Sequence, residues 1–474
     1  MHEKGDTTMK KKALYIAMAM LIILTSIAYR PATRSTAAIK PDETVEPMGI
    51  FDILKEPVDV QVANSVSALA TTPPSGTTIT WRVSDSRVAT VSSSGVVTGI
   101  RPGQTNLTAV ITIPGATTMT RVTTVNVLFD TTLFYIKNKN SGQYLTVAGA
   151  VDANGQNVTQ TKITGVNNAA KLWAVTYVGN GLYKLVPQHG SKTRSLCIDI
   201  TGTNGNVNSA NAMIKTDSSS TNQRFKLILN DDLCSYQIAS QCSNYLKVLS
   251  VVNASCDENA NVFQYTHGTS MNDDWVLEPY TYSWNMAKNY AYANWNTQGG
   301  SVFFEMYPWF PGGDCANFVS QCMLAGGIHY QNEWFIYKKN NNAVMTPTAS
   351  QIDSGWSIET IGGNIIGIGA SSPWFSAIKF GEFWSEKVQY SDFSGSQLTV
   401  SLSSAYNANY VEGDVIQTYT KTASGSADEA RHTMLITGKS SGDYFMTYHS
   451  IDNKDAALSD KVDDELIYRF YKMR

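Results

Sequence analysis

The sequence is poor in charge, in cysteine and in basic excess, and each shortage narrows what it can be. Charged residues make up 16% of the 474, against ~25% in an ordinary globular chain. Lys+Arg number 36 and Asp+Glu 39, a formal net charge of −3. Without a positive excess, nucleic acid is excluded as a main partner. Six cysteines are too few for a disulfide-built scaffold. No H-E-x-x-H or similar ligand-spaced motif occurs, so neither metal nor cofactor is expected. The one long apolar run, Ala13–Ala28, falls short of the ~20 residues that span a bilayer comfortably.

What is present fits a secreted, multidomain protein. Hydrophobic residues are 43%, enough for packed cores and too many for wholesale disorder. At ~150 residues per domain the length suggests about three domains. Tyr 24 and Trp 10, with many Asn, Thr and Ser, suit β structure outside the cell. Lys10, Lys11 and Lys12 precede the apolar run, the pattern of a secretory signal. We assign residues 1–38 to it, with small residues at Ser35–Ala38 near the expected cleavage. The alternative is an uncleaved anchor, the only membrane contact expected. Residues 39–56 read as linker, with Pro41 and Pro47 spaced through polar sequence.

Residues 57–130 carry short alternating strands (Ile79–Val83, Val88–Val91, Val96–Thr98, Asn106–Val110) between Ser, Gly and Pro turns, the spacing of a β-sandwich. Trp81 is expected in its core, and Gly95 and Gly99 in turns that need φ > 0. From Trp81 to Thr105 the pattern W-x-V-S-D-x-x-V-A-x-V-x-x-x-G-x-V-T-G is nearly unbroken and resembles the bacterial immunoglobulin-like group 2 domain. That resemblance implies a spacer or adhesion module.

Residues 131–281 repeat themselves. Trp173, Phe225 and Trp275 are spaced by 52 and 50 residues, each on an alternating strand, which implies a threefold β architecture with the three aromatics in a shared core. The region resembles the ricin-type β-trefoil lectin, although only Gln223-Arg224-Phe225 keeps the glutamine of that family's Q-x-W. The resemblance implies a sugar site in the middle copy from Asp199, Asn208 and Asn211. The acidic position reads Thr146 or Val147 in the first copy and Lys247 or Val248 in the third. The trefoil could equally be scaffold only. Cys197, Cys234, Cys242 and Cys256 could form bridges in three connectivities or remain thiols.

Residues 282–474 carry the chemistry. Tyr282–Asn296 reads as a helix. In PGGDCANFVSQCMLAGG, Cys315, Phe318, Val319, Cys322 and Met323 form one helical stripe stopped by Gly326-Gly327. Cys315 then sits at a helix N-terminus, where the helix dipole favours a thiolate. Cys322 lies on the buried side and reads as structural. His329, at ~1.5 Å per helical residue, lies roughly 20 Å from Cys315, too far to be its base. A hairpin centred between Ser440 and Ser441 would set His432 directly opposite His449: one imidazole to take the thiol proton, the other to hold its tautomer. Asp452 and Asn453 are rival orienters, and a metal held by Cys315, His432 and His449 is a further alternative.

The stretch G-G-D-C-A-N-F-V-S-Q-C, with Gly413-Asp414-Val415-Ile416, H-T-M-L-I-T and Y-H-S-I-D, resembles the bacterial amidase domain of the papain-like cysteine hydrolase superfamily. The resemblance implies Cys315 as nucleophile, His432 as base, His449 as orienter and Asp314 in substrate positioning. The expected fold is therefore multidomain: an all-β sandwich, a β-trefoil, then an α+β papain-like domain whose nucleophile stands at a helix N-terminus packed on an antiparallel sheet. The expected function is a secreted, possibly surface-associated thiol hydrolase. It would cleave a peptide or amide bond in peptidoglycan or another cell-wall polymer while the trefoil holds glycan. The alternative is a non-catalytic surface adhesin.

Overall fold

The computed structural model describes residues 53–474, apart from 163–167, 192–194, 203–205, 297–313, 330, 332, 339–355 and 359–367. These belong to one compact unit, Asp52–Arg474. The expected signal and nearly all of the linker lie outside the described residues. No described helix is long and apolar enough to cross a membrane.

The first seven strands are β1 (Val58–Gln61), β2 (Ser65–Ser67), β3 (Thr78–Val83), β4 (Ala89–Val91), β5 (Val96–Gly99), β6 (Gly103–Thr112) and β7 (Met119–Leu128). They form two sheets, β1-β7-β6-β3 and β2-β5-β4. Val58, Val97, Leu107 and Val127 fill the space between them. Trp81 is only half buried and packs against that core from its edge. Gly95 has φ +79°, and a Cβ there would lie 2.6 Å from the Trp81 ring. Gly99 does not have the expected positive φ. It is glycine because Gln61 O approaches to within 2.7 Å of where a Cβ would stand.

Twelve strands follow: β8 (Leu133–Asn138), β9 (Tyr144–Val147), β10 (Val158–Thr161), β11 (Leu172–Gly179), β12 (Leu182–Pro187), β13 (Leu196–Ile200), β14 (Ala210–Thr216), β15 (Phe225–Leu229), β16 (Tyr236–Ser240), β17 (Lys247–Val251), β18 (Val262–Thr266) and β19 (Asp274–Pro279). Six of them close a ring in the order β8-β11-β12-β15-β16-β19, and the pairs β9/β10, β13/β14 and β17/β18 cap it. This is the threefold architecture that the repeat demands. Trp173, Phe225 and Trp275 are wholly buried in one core. Trp173 and Trp275 donate their indole N–H to Leu145 O and Leu249 O at 2.8 and 2.9 Å. Phenylalanine at 225 gives up that bond and keeps the packing.

A second threefold feature was not legible. Asn211 donates to Asn157 at 2.8 Å, Asn157 to Asn261 at 2.9 Å, and Asn261 back to Asn211 at 2.8 Å. Each amide uses one N–H and its oxygen to close a ring among the three caps.

The C-terminal region has helices α1 (Trp284–Asn294) and α2 (Cys315–Ala325), a small sheet of β20 (Ile336–Lys338), β21 (Trp356–Ile358) and β22 (Ile368–Ala370), and helices α3 (Ser372–Phe375) and α4 (Ala377–Ser385). Then come β23 (Tyr390–Ser394), α5 (Gly395–Val400), α6 (Ser403–Asn407), β24 (Val415–Lys421), β25 (Ala427–Ser440), β26 (Asp443–Tyr448), β27 (Asn453–Ala457) and β28 (Ile467–Tyr471). The main sheet is antiparallel, in the order β23-β28-β24-β25-β26-β27. Val415, Leu435 and Tyr471 pack against α1, α2 and α4 on one side. Ile416, Met434, Ile436 and Met446 pack against α5 and α6 on the other. Residues of β25 thus alternate between two cores, odd numbers toward α2 and even numbers away.

The ring of asparagines predicts a stability effect. Asn211→Ala should destabilise the trefoil by about 1–2 kcal/mol in urea unfolding, since it strands two amide groups. Asn157→Ala/Asn211→Ala together should cost less than the sum, because the first change already opens the ring. Full additivity would mean that the three amides act separately.

Candidate active site

Helix α2 begins at Cys315 and ends at Gly326-Gly327, where Gly327 has φ +99°. Its first residue stands against β25, and Cys315 is 5% exposed. Burial pushes the Cys315 thiol up. Hydrogen bonding from the backbone of Thr433, the backbone of Ala316 and the Thr433 hydroxyl opposes the rise without cancelling it. This direction is opposite to the lowering expected from the helix dipole, and desolvation is its largest cause.

Asp314 precedes Cys315 and is 3% exposed. Its side chain makes no helix cap. Instead Oδ2 lies 2.7 Å from His449 Nδ1, and Oδ1 accepts from Asn317 Nδ2 at 2.8 Å. A carboxylate placed in this way between two buried neighbours holds the histidine, a contact that the expected role in positioning substrate or loop did not include. His449 Nε2 lies 2.8 Å from Asn294 O in the last turn of α1. Its ring stacks on Phe318, one turn along α2, at 4.0 Å and 21°. Both ring nitrogens thus face acceptors. A neutral imidazole can donate to only one of them, an imidazolium to both.

The expected meeting of His432 and His449 across the hairpin does not occur. Ser440 pairs with Asp443, so the turn is Ser441-Gly442, both at positive φ as a two-residue hairpin requires. An irregularity between Ile436 and Gly438 then shifts the register to Leu435 opposite Thr447. Continued to the strand ends, this sets Thr433 opposite His449. A one-residue slip moves a side chain to the other face, and His432 lies edge-on to Tyr448 at 4.7 Å and 89°. Burial lowers its pKa from 6.5 to about 4. Asn453 pairs with Tyr448 in β27, its amide donating to Ile451 O. Gly312 and Gly313, which precede Asp314 in the sequence, lie outside the described residues.

The predicted sugar residues are committed internally. Asp199 is 5% exposed, with Lys215 Nζ at 3.0 Å. The Asn208 side-chain oxygen, Oδ1, accepts from Lys247 Nζ at 2.8 Å and from Thr266 N at 3.0 Å. Lys247, which opens β17 in the third copy, thus reaches into the site expected of the second, while the strand registers set Ser250 at the third-copy counterpart of Asp199. Asn211 belongs to the asparagine ring. The structure does not bring the three into one open site. The cysteines of this region are all thiols. Among the described residues, His267, Asp273 and Asp274 are the one group of possible metal ligands close enough to share an ion. The His267 ring is already bonded to Asp273 at 3.1 Å and to Gln237 at 3.1 Å.

Sequence reasoning missed Thr433, which follows the histidine it had singled out, and Asn294, whose contribution is a backbone carbonyl that no side-chain pattern reports. The placement of His432 carries a pH signature. Its folded form resists protonation, whereas the unfolded chain protonates near 6.5. Its contribution to stability is therefore whole above pH 6.5, lost as the pH falls toward about 4, and level below. Thermal unfolding between pH 7 and 4 should show a smaller loss for His432→Gln than for the parent chain; equal slopes would contradict this burial.

Comparison with known proteins follows the same division. Family models match at residues 51–120, "Bacterial Ig-like domain (group 2)", at 125–206, "Ricin-type beta-trefoil lectin domain-like", and at 281–471, "Putative amidase domain". No curated protein sequence matches. Solved structures similar to part of the chain include ThreeFoil, a designed threefold-symmetric protein. It has 29% identity, covers 31% of this chain and 96% of its own, and has a TM-score of 0.27. The Rhizoctonia solani agglutinin has 17% identity over 32% of this chain and 96% of its own, with a TM-score of 0.27. The C-half of the earthworm R-type lectin, solved with GalNAc, has 19% identity over 31% and 98%, with a TM-score of 0.23. The amidase match supports a hydrolase acting on C–N bonds, and the lectin-like match suggests glycan as a partner. The chain thus carries, in this order, a bacterial Ig-like domain of group 2, a ricin-type lectin-like domain and an amidase domain.

Proposed function

We propose that residues 282–474 form a papain-like thiol hydrolase, exported by the N-terminal signal, that cleaves an amide bond in peptidoglycan or another cell-wall polymer. One observation carries this reading. Cys315 opens a buried helix, and the residue beside it, Asp314, holds His449 at 2.7 Å on the same side of the sheet. Cys315 Sγ gives its proton to His449 and attacks the carbonyl. The C–N bond breaks as His449 returns the proton to the leaving amine. Water then releases the acid and restores the thiol. Nε2 must leave the Asn294 carbonyl to take part, while Asp314 keeps Nδ1 and so fixes the tautomer. The Cys315 backbone N–H at the helix start is suited to the developing oxyanion. The trefoil would hold glycan near the enzyme, through groups other than Asp199, Asn208 and Asn211.

A second assignment of the base keeps His432. Its neighbour Thr433 faces the α2 side of the sheet, so the strand that carries His432 runs beside the nucleophile, but the His432 ring lies on the other face and resists protonation. Both assignments share the nucleophile and are separated by substitution. On purified cell walls with product analysis, Cys315→Ser should lower the rate at least about a thousandfold with the fold intact. His449→Ala should lose about 10²–10⁴ and Asp314→Asn somewhat less, with His432→Ala mild. Should His432→Ala match Cys315→Ser while His449→Ala stays active, the base is His432. Wild-type binding to walls with no bond cleaved would favour the adhesin.

A further inference from the structure

The second and third copies of the trefoil repeat differ at one place in charge. The asparagine ring and the shared core set Asn211 against Asn261 and Phe225 against Trp275, an offset of 50 residues. The same offset sets Gln223 against Asp273, at the ends of the matching short turns Thr221–Gln223 and Met271–Asp273. It also sets Arg224 against Asp274 and Asp217 against His267. The strands correspond likewise, Tyr183-Lys184-Leu185 with Tyr236-Gln237-Ile238. In the second copy Asp217 is held between two cations, Lys184 Nζ at 2.9 Å and Arg224 Nη2 at 3.0 Å. Gln223 Oε1 accepts from Ser218 N at 2.8 Å, and its Nε2 donates to Thr216 O at 2.9 Å. The third copy keeps neither cation and has two carboxylates instead of one. Asp273 Oδ2 accepts from Gly268 N at 3.0 Å, as Gln223 does from Ser218. Its other oxygen, Oδ1, takes the role of the atom with which Gln223 donates. That oxygen is buried and has no hydrogen-bond partner among the described residues, in a side chain only 3% exposed.

The amides around His267 fix its tautomer. As a carboxylate, Asp274 can only accept, so the nitrogen of Asn230 faces its Oδ1, at 2.8 Å. The Asn230 oxygen then faces Gln237 Nε2 at 2.9 Å, and Gln237 has only an N–H to offer His267 Nε2, at 3.1 Å. Nε2 must accept, so the ring carries its single proton on Nδ1, 3.1 Å from Asp273 Oδ2. The result is a neutral imidazole, the metal-binding form, beside two carboxylates. A ring nitrogen and one oxygen from each carboxylate lie within 4.8 Å of one another. Burial, with the Asp273 carboxylate adding to it, holds Asp274 above the usual carboxylate range. The cation that opposes this, Lys139, is already bound to Asp232 at 2.8 Å. The His267 side chain is 42% exposed, which leaves a way in from solvent. We propose that His267, Asp273 and Asp274 bind a divalent transition-metal ion, and that this ion satisfies the buried Oδ1 of Asp273. One imidazole nitrogen with carboxylate oxygens suits Mn²⁺ or Zn²⁺. The site is independent of the reaction proposed for Cys315.

The test uses the full chain, stripped with EDTA and titrated with Mn²⁺, an ion that the chain's thiols bind poorly. Calorimetry reads the binding and thermal unfolding reads its effect on stability. One ion per chain should bind, and the unfolding midpoint should rise with Mn²⁺ concentration. His267→Gln and Asp274→Asn should each weaken binding at least about tenfold. Asp273→Gln gives the third copy the donor that the second copy has. It should abolish Mn²⁺ binding and, without metal, unfold at a higher temperature than the parent chain, which shows that the loss of binding is not a loss of fold. No binding by the parent chain at about 1 mM Mn²⁺ would overturn the proposal. So would unchanged affinity in Asp274→Asn, or an Asp273→Gln chain that is stabilised and still binds the ion.

Discussion

A buried carboxylate and a buried imidazole, 2.7 Å apart, join the start of α2 to the end of β26. Much of the C-terminal region is arranged around that contact. Asp314 gives up helix capping to make it. Phe318 supplies a flat apolar wall for the ring, and Asn317 holds the other carboxylate oxygen while accepting the Trp374 indole N–H at 2.8 Å. Removing one partner of a buried hydrogen bond leaves the other unsatisfied, at a typical cost of about 1–3 kcal/mol. The contact therefore fixes where Cys315 stands as firmly as it fixes His449.

The third holder of His449, the Asn294 carbonyl, ties the site to the rest of the chain. Helix α1 receives a contact from each preceding region. Asp130 accepts from Ser283 and Asn285 at its start, at 2.8 and 2.9 Å. Arg101, buried, donates to Asn289 O at 3.2 Å. The Asn294 amide lies 3.7 Å from the sulfur of Cys234. These contacts set α1 along its whole length, and so set the carbonyl that His449 must leave in order to act.

Fold was more legible than site, for physical reasons. Alternation and turn residues declare strands locally, so β3 to β6 fell close to the expected positions. A fifty-residue repeat left no economical alternative to threefold closure. Helix α2 was visible from its apolar stripe and its Gly-Gly stop. The site depended on register, which is a global property. One irregularity near Thr437 and a turn displaced by one residue were enough to send His432 and His449 to opposite faces. Burial was the other gap. A helix N-terminus suggests a thiolate, but the desolvation of Cys315 depends on what the sheet brings against it. In the trefoil, Asp199 and Asn208 looked available until Lys215 and Lys247, distant in sequence or facing from a neighbouring strand, were found beside them.

The central claim is that Cys315 attacks the scissile carbonyl. It is tested most directly by trapping the acyl-enzyme: the full chain is mixed with purified cell-wall peptides, quenched in acid within a turnover and digested for mass spectrometry. The account predicts an acyl adduct on the peptide that carries Cys315, absent in Cys315→Ala and prolonged when deacylation is slowed. Amide cleavage that proceeds equally in Cys315→Ala, with no adduct on that peptide, would contradict it.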